Sequence, residues 1–257
     1  LALFNSQTMK AMKRGDAVVV AVSAGLAIIA VAAVVFSVVV LDRKARPAPD
    51  ASSSSLLVLT WAPSLCPIEP SNSGCRSGHV DSLGAKFMLH GLWPQPSSEQ
   101  YCDVPRQTPD KARKPISLPD AVSSQLETMM SDSSRMAKHE WYAHGTCSGV
   151  SPAEYFSVAT ALSDQAAGIL NPLFNGASGR QLTSKSMREA FDARLGKGAG
   201  SRVALVCKGA RDEGAVAFEV RLSLPPVSRL AQNPQPLGEA LAAGPTVPPG
   251  CGQARVP

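Results

Sequence analysis

Histidine is scarce in this chain of 257 residues, which has only four: His79, His90, His139 and His144. Aromatic side chains make up just 5 % of the residues, so each one near a histidine is informative. No two of the six cysteines form a Cys-x-x-Cys pair, which weakens zinc and redox readings. His139 and His144 are five positions apart, not the i, i+4 spacing of a His-Glu-x-x-His metalloprotease helix. No internal repeat is visible. Nor is there a large excess of one charge where it would matter. Of 25 Lys and Arg, six precede residue 51, as do three of 20 Asp and Glu. The remainder carries 19 against 17, a balance of +2, which permits a polyanionic partner without arguing for one.

What the chain does have, early on, is one long uncharged apolar run, residues 17–41. At about 1.5 Å per residue it exceeds the roughly 30 Å hydrocarbon core of a bilayer. A cleaved signal usually has an apolar stretch of only about 7–15 residues, so the reading is a signal-anchor, with cleavage after Ala30-Val31-Ala32 as the alternative. Either way the segment gives the chain a membrane contact. Residues 1–16 then form a basic N-terminal segment, with Met9 and Met12 as candidate starts. Residues 42–55, rich in Pro, Ala and Ser, form a flexible linker. Residues 56–257 are expected to be one domain. Basic residues flank the run on both sides and do not fix its orientation. The cysteines do: all six lie beyond it, and an even number in an exported domain reads as a disulfide framework. The domain is therefore expected outside the cytoplasm, anchored or secreted, and monomeric.

Within it, residues 56–61 and 86–89 read as buried strands, with His90 at the end of the second. Residues 94–114 read as a surface loop, and 119–131 and 152–170 as helices, the latter opened by Ser151 and Pro152. Ser186 to Glu189 fits a capping box for a helix ending at Leu195. Residues 203–207 and 216–224 read as further strands, and the stretch from Pro225 as coil anchored only by Cys251. The fold class is α+β, a central and mainly antiparallel sheet with packed helices, stapled by disulfides.

Three of the four histidines fall in Phe87-Met88-Leu89-His90-Gly91-Leu92-Trp93-Pro94 and Lys138-His139-Glu140-Trp141-Tyr142-Ala143-His144-Gly145-Thr146-Cys147. On a short helix ending at Gly145, Glu140 and His144 share one face, a turn apart. With His90 brought against it, two imidazoles could flank one small anion, one taking a proton and the other giving one. That suits a phosphodiester. His79 reads as structural. A zinc site on His90, His139 and His144 is the competing reading. Trp93 reads as core, fixing the turn before Pro94, whereas Trp61, Tyr101 and Trp141 are candidates for stacking on a base.

The two segments resemble the active-site segments of the ribonuclease T2 family, in the right order. The likeness extends more thinly to Leu59-Thr60-Trp61 with Cys66, to Glu219-Val220-Arg221-Leu222, and to Cys251 with Arg255-Val256-Pro257. The resemblance implies pairing of Cys66 with Cys75, Cys102 with Cys147 and Cys207 with Cys251. It implies His144 as the base at the ribose 2′-hydroxyl, His90 as the acid at the departing 5′-oxygen, and Glu140 with the phosphate-binding His139 polarising the phosphate. The expected reaction is metal-independent endonucleolytic cleavage of single-stranded RNA through a 2′,3′-cyclic phosphate, with no cofactor. Two positions depart from the family pattern: Ala143 stands where a lysine is usual, and Ser223 where many relatives have a half-cystine. The first motivates the alternative of a weakened or non-catalytic RNA-binding or signalling homologue.

Overall fold

The computed structural model describes residues 52–210 and 214–257. The expected basic segment, apolar anchor and most of the linker lie outside the described residues. Among those described, no helix is long and apolar enough to cross a membrane. The expected linker ends sooner than residue 55, because strand β1 (Ser54–Trp61) already includes Ser54 and Ser55.

Short helices α1 (Ala62–Ile68), α2 (Ser73–Arg76) and α3 (His79–Leu83) lead into strand β2 (Phe87–Gln95). After a loop come helices α4 (Asp120–Met129), α5 (Ser133–Ala143) and the long α6 (Pro152–Ala177). Then follow β3 (Gln181–Thr183), α7 (Ser184–Leu195), β4 (Val203–Ala210) and β5 (Gly214–Leu224). The chain from Pro225 is not coil: it forms α8 (Val227–Gln232), α9 (Leu237–Ala243) and β6 (Gln253–Arg255). Pro226 and Pro236 stand immediately before α8 and α9, where a fixed φ suits a helix start, so these prolines begin helices rather than prevent them. The α7 cap also differs from the sequence reading. It is Thr183, whose hydroxyl accepts from the Ser186 N–H, and the helix starts two residues before Ser186.

The sheet runs β2-β1-β5-β6-β3, with β4 also paired to β5. Pairing is antiparallel except for the single β5–β6 match at Val216 and Arg255. Side chains alternate across a strand. On one face, Leu57, Leu59, Trp61, Phe87, Leu89 and Leu92 join Phe174 and Tyr155 of α6 in the main core. The rings of Trp61, Phe87 and Phe174 meet pairwise at 4.6–5.2 Å.

Helix α6 does more than cover this face. It starts with a full capping box between Ser151 and Glu154. Strand β2 is at the sheet edge, which would leave a row of unpaired backbone groups. The Tyr155 hydroxyl donates to the Leu92 carbonyl at 2.6 Å, and the Asn171 side-chain oxygen accepts from the Phe87 N–H at 2.8 Å. The helix thus closes the edge strand that carries His90.

All six cysteines pair, as Cys66–Cys75, Cys102–Cys147 and Cys207–Cys251. The second pair spans 45 positions and ties the long loop after β2 to the turn following α5. In a chain-entropy model such a closure contributes about 4 kcal/mol.

Candidate active site

The site is built on the sheet face away from the main core, and its first device is an irregularity in β2. Val58 pairs with Gly91 and Leu59 with Leu89, so His90 is an extra residue in the ladder. It sits in mid-strand, not at the strand end that its sequence context implied. A bulge of this kind re-aims a side chain. A second bulge lies in β5, where Val206 pairs with Glu219 and Cys207 with Ala217, leaving Phe218 extra. The two irregularities bring His90 and Glu219 together, His90 Nδ1 lying 2.9 Å from Glu219 Oε1.

Helix α5 supplies the other half. Asp132 caps its start, accepting from the Arg135 N–H, and the helix ends at His144. Glu140 and His144 share a face as the spacing implied, with His144 Nε2 at 4.0 Å from Glu140 Oε2. On the other side of the same carboxylate, His90 Nε2 is 3.8 Å from Glu140 Oε1. Glu140 is 1 % exposed, and the Trp93 indole N–H donates to its Oε2 at 2.9 Å.

This close approach requires a residue without a side chain at position 91. A Cβ on Gly91 would overlap the Glu140 carboxylate and crowd the Trp93 indole nitrogen. On Gly145 it would overlap the Trp141 ring. The glycines following His90 and His144 are therefore spacers that let strand, helix and indole ring meet.

Trp93, read from sequence as a core residue, belongs to the site. Its ring stacks on His144 with centroids 5.1 Å apart and meets the His90 ring edge-on at the same separation. Trp61, a candidate for base stacking, is fully buried in the main core and must be removed from the site. Alternation explains it: with Leu57 and Leu59 it faces α6. Trp141 packs on Tyr155 and against the core, and the Tyr101 ring lies beneath the guanidinium groups of Arg106 and Arg113. Neither lines the cavity that opens at His90. That cavity, about 690 Å³, is walled by His90, His139, Met88 and Phe218, with Arg76, Lys111, Arg135 and Lys138 around it. His79 stands apart, its Nε2 3.1 Å from the Glu127 carbonyl, in keeping with a structural role.

The surroundings push the two site imidazoles in opposite directions. Burial drives His144 down to about 3, helped by the positive charges of His139 and His90. Burial would lower His90 as well. The hydrogen bond with Glu219 and the charges of Glu140, Glu219 and Glu69 outweigh it and raise His90. Burial lifts Glu140 toward its neutral form, against the pull of His90 and the Trp93 N–H. Glu219, despite its burial, is kept charged by His90 and Arg221. The site therefore holds a His144 that stays neutral down to about 3 and a His90 that keeps its proton to higher pH than an ordinary imidazole, on either side of one carboxyl group.

The three histidines do not offer a metal cage. Among the described residues, the one converging group of possible ligands is Glu99, Cys102 and Cys147, and the disulfide takes both sulfurs.

The sequence model of the Ribonuclease T2 family matches residues 53–231. The chain belongs to that family. Proteins to which it is similar include Ribonuclease MC of Momordica charantia, 30 % identical over 155 residues, which are 56 % of this chain and 76 % of that one. A ribonuclease of Aeromonas hydrophila is 32 % identical over 106 residues, 41 % of this chain and 42 % of its own. Among solved structures, a mutant of RNase MC1 in complex with 5′-GMP superposes with a TM-score of 0.55 at 22 % identity, covering 79 % of this chain and 99 % of that one.

Sequence reasoning passed over Glu219 and Arg221 as site residues in this T2 chain. The signal was there: two charged side chains two apart in an otherwise apolar strand need partners if they are buried.

Proposed function

We propose that this T2-family ribonuclease cleaves single-stranded RNA endonucleolytically by internal transesterification, with His144 as base and His90 as acid. Neutral His144 takes the proton of a ribose 2′-hydroxyl. The 2′-oxygen attacks the adjacent phosphorus, forming a P–O bond as the bond to the 5′-oxygen breaks. His90 gives its proton to that leaving oxygen. The products are a 2′,3′-cyclic phosphate and a 5′-hydroxyl. Water can then open the ring with the two imidazoles in reversed roles, leaving a 3′-phosphate. Glu140 and His139 hold and polarise the phosphate.

The observation carrying this reading is the placement of two imidazoles about 4 Å from one buried carboxyl group, in surroundings that lower His144 and raise His90. Environments that push two titratable groups apart mark the acid and the base. The 5′-GMP bound by the related RNase MC1 mutant favours a nucleotide ligand at this site. Single strands are preferred because the 2′-oxygen must swing in line with the leaving group, which a regular duplex resists.

Three disulfides fit a folding compartment outside the cytoplasm, and the apolar run 17–41 is the proposed means of getting there, as anchor or as signal. The working unit is taken as a monomer. Mass spectrometry of the mature N-terminus distinguishes anchor from signal.

The reaction is tested by incubating the protein with RNA in excess EDTA. Cyclic-phosphate ends, lost in His90→Ala, are expected. RNA bound but left intact would favour the non-catalytic homologue.

A further inference from the structure

In-line attack adds negative charge at phosphorus before the leaving oxygen is protonated. Arg76, Lys111, Arg135 and Lys138 line the cavity that opens at His90, but the groups gathered about the Glu140 carboxyl itself carry little fixed positive charge. His144 is neutral, His90 surrenders its proton in the step, and Glu140 and Glu219 are carboxyl groups. Helix α5 offers nothing more at the position before His144, because Ala143 is buried and has no charge.

The Arg221 guanidinium packs on the ring that His90 and His144 share. Arg221 pairs across β1 with Val58, which pairs with Gly91 on β2. Residues directly opposite one another project from the same face, so Arg221 rises from the face on which Glu140 covers Gly91. Its Cζ is 5.3 Å from the Trp93 ring centroid, and that ring contacts both His90 and His144. Its Nη2 donates to Glu219 Oε2 at 3.0 Å, the carboxylate that also holds His90. Of five N–H donors, this interaction uses one, and Nε is buried without a partner. The side chain as a whole is 36 % exposed, so its remaining donors can reach a ligand.

We propose that Arg221 is a catalytic residue, its guanidinium bonding a non-bridging oxygen of the scissile phosphate and stabilising the phosphorane in place of a cation at position 143. The inference rests on the ribonuclease reading above. A guanidinium suits the task, being permanently charged and matched in shape to two phosphate oxygens. Trp93 and Glu219 hold it in advance, so no reorganisation is needed when the charge develops.

The bland alternative is that Arg221 only balances Glu219 and acts on the reaction through His90. Steady-state cleavage of a dinucleotide by the full chain, followed across pH, separates the two. For Arg221→Gln we expect kcat to fall about 100-fold over the whole pH plateau, with KM changed less than about threefold. Affinity for a nucleoside–vanadate complex, which mimics the phosphorane, should fall by the same factor as kcat. Arg221→Lys, which keeps the charge but loses the planar fork, should fall between the wild type and the neutral variants, at least several-fold faster than the latter. Arg221→Met, which keeps the stem over Trp93, replaces the Gln variant if that one misfolds by circular dichroism. The proposal is overturned if a folded neutral variant keeps its plateau rate and only shifts the alkaline limb. It is equally overturned if a folded Lys variant is as slow as the neutral ones. Wild-type protein that cuts RNA while the neutral variants cut equally well sinks this inference alone; wild-type protein that cuts no RNA sinks the ribonuclease reading with it.

Discussion

Strands β2, β1 and β5 have two faces made by the same few residues. One presents Leu57, Leu59, Trp61, Phe87, Leu89 and Leu92 to α6, all buried and apolar. The other carries His90, Trp93, Glu219 and Arg221, with Glu140 laid across Gly91. On the first face a one-residue error in pairing would cost the core its packing, so the register is firmly set. On the second, charged groups are held at hydrogen-bond distance by that same register. The site therefore inherits its geometry from the core behind it: the apolar face supplies the rigidity that the polar face uses.

Each face can be perturbed separately. The largest effect is expected on the polar face. His90→Ala and His144→Ala should each lower the rate of RNA cleavage by about 10²–10⁴-fold while the melting temperature changes little. A variant that loses stability but not rate would place the acid or base elsewhere. On the apolar face the signs reverse. Trp61→Ala should remove about 3–5 kcal/mol of stability in a urea titration, and activity per folded molecule should persist. Trp93 belongs to both accounts. Trp93→Phe keeps a ring beside the imidazoles but deletes the donor that positions Glu140, so kcat should drop about 10–100-fold, a loss of about 1.4–2.7 kcal/mol in transition-state stabilisation.

The smallest effect, and the sharpest, is in pH. His144 must be unprotonated to act as base, which holds above about 3. His90 must be protonated to act as acid, which holds up to a pKa above the ordinary imidazole value. The kcat/KM profile should therefore stay high well into acid and fall on the alkaline side as His90 loses its proton. Stability follows a related course. Between about 3 and 6.5 the unfolded chain binds a proton at His144 that the folded protein refuses, so this residue makes stability decline as pH falls through that window. A denaturation series from pH 7 to 4 on the wild type and His144→Ala, with the decline weaker in the variant, checks the sign.

Much of this was legible in the residues. The spacing of Glu140 and His144 gave one helix face, and the motif around His90 gave the strand that meets it. Alternation could have excluded Trp61 from the site, since Leu57, Leu59 and Trp61 share a parity with the core. What stayed hidden depends on register between distant segments. Nothing local to Gly214–Leu224 tells that a bulge at Phe218 turns Glu219 toward a histidine 129 positions away. Nothing local to Trp93 tells that Glu140 will reach its indole nitrogen. The C-terminal stretch was obscured for a different reason: proline reads as a breaker until its neighbours show it opening α8 and α9.

The surplus position at His90 has a corollary for how this molecule is put together. Excising that one residue would let Leu89 and Gly91 follow Leu59 and Val58 in unbroken two-residue alternation, with every later neighbour unmoved. The proposed proton donor is thus a surplus residue in the ladder, and a shortened protein lacking it should still assemble its sheet while losing its chemistry.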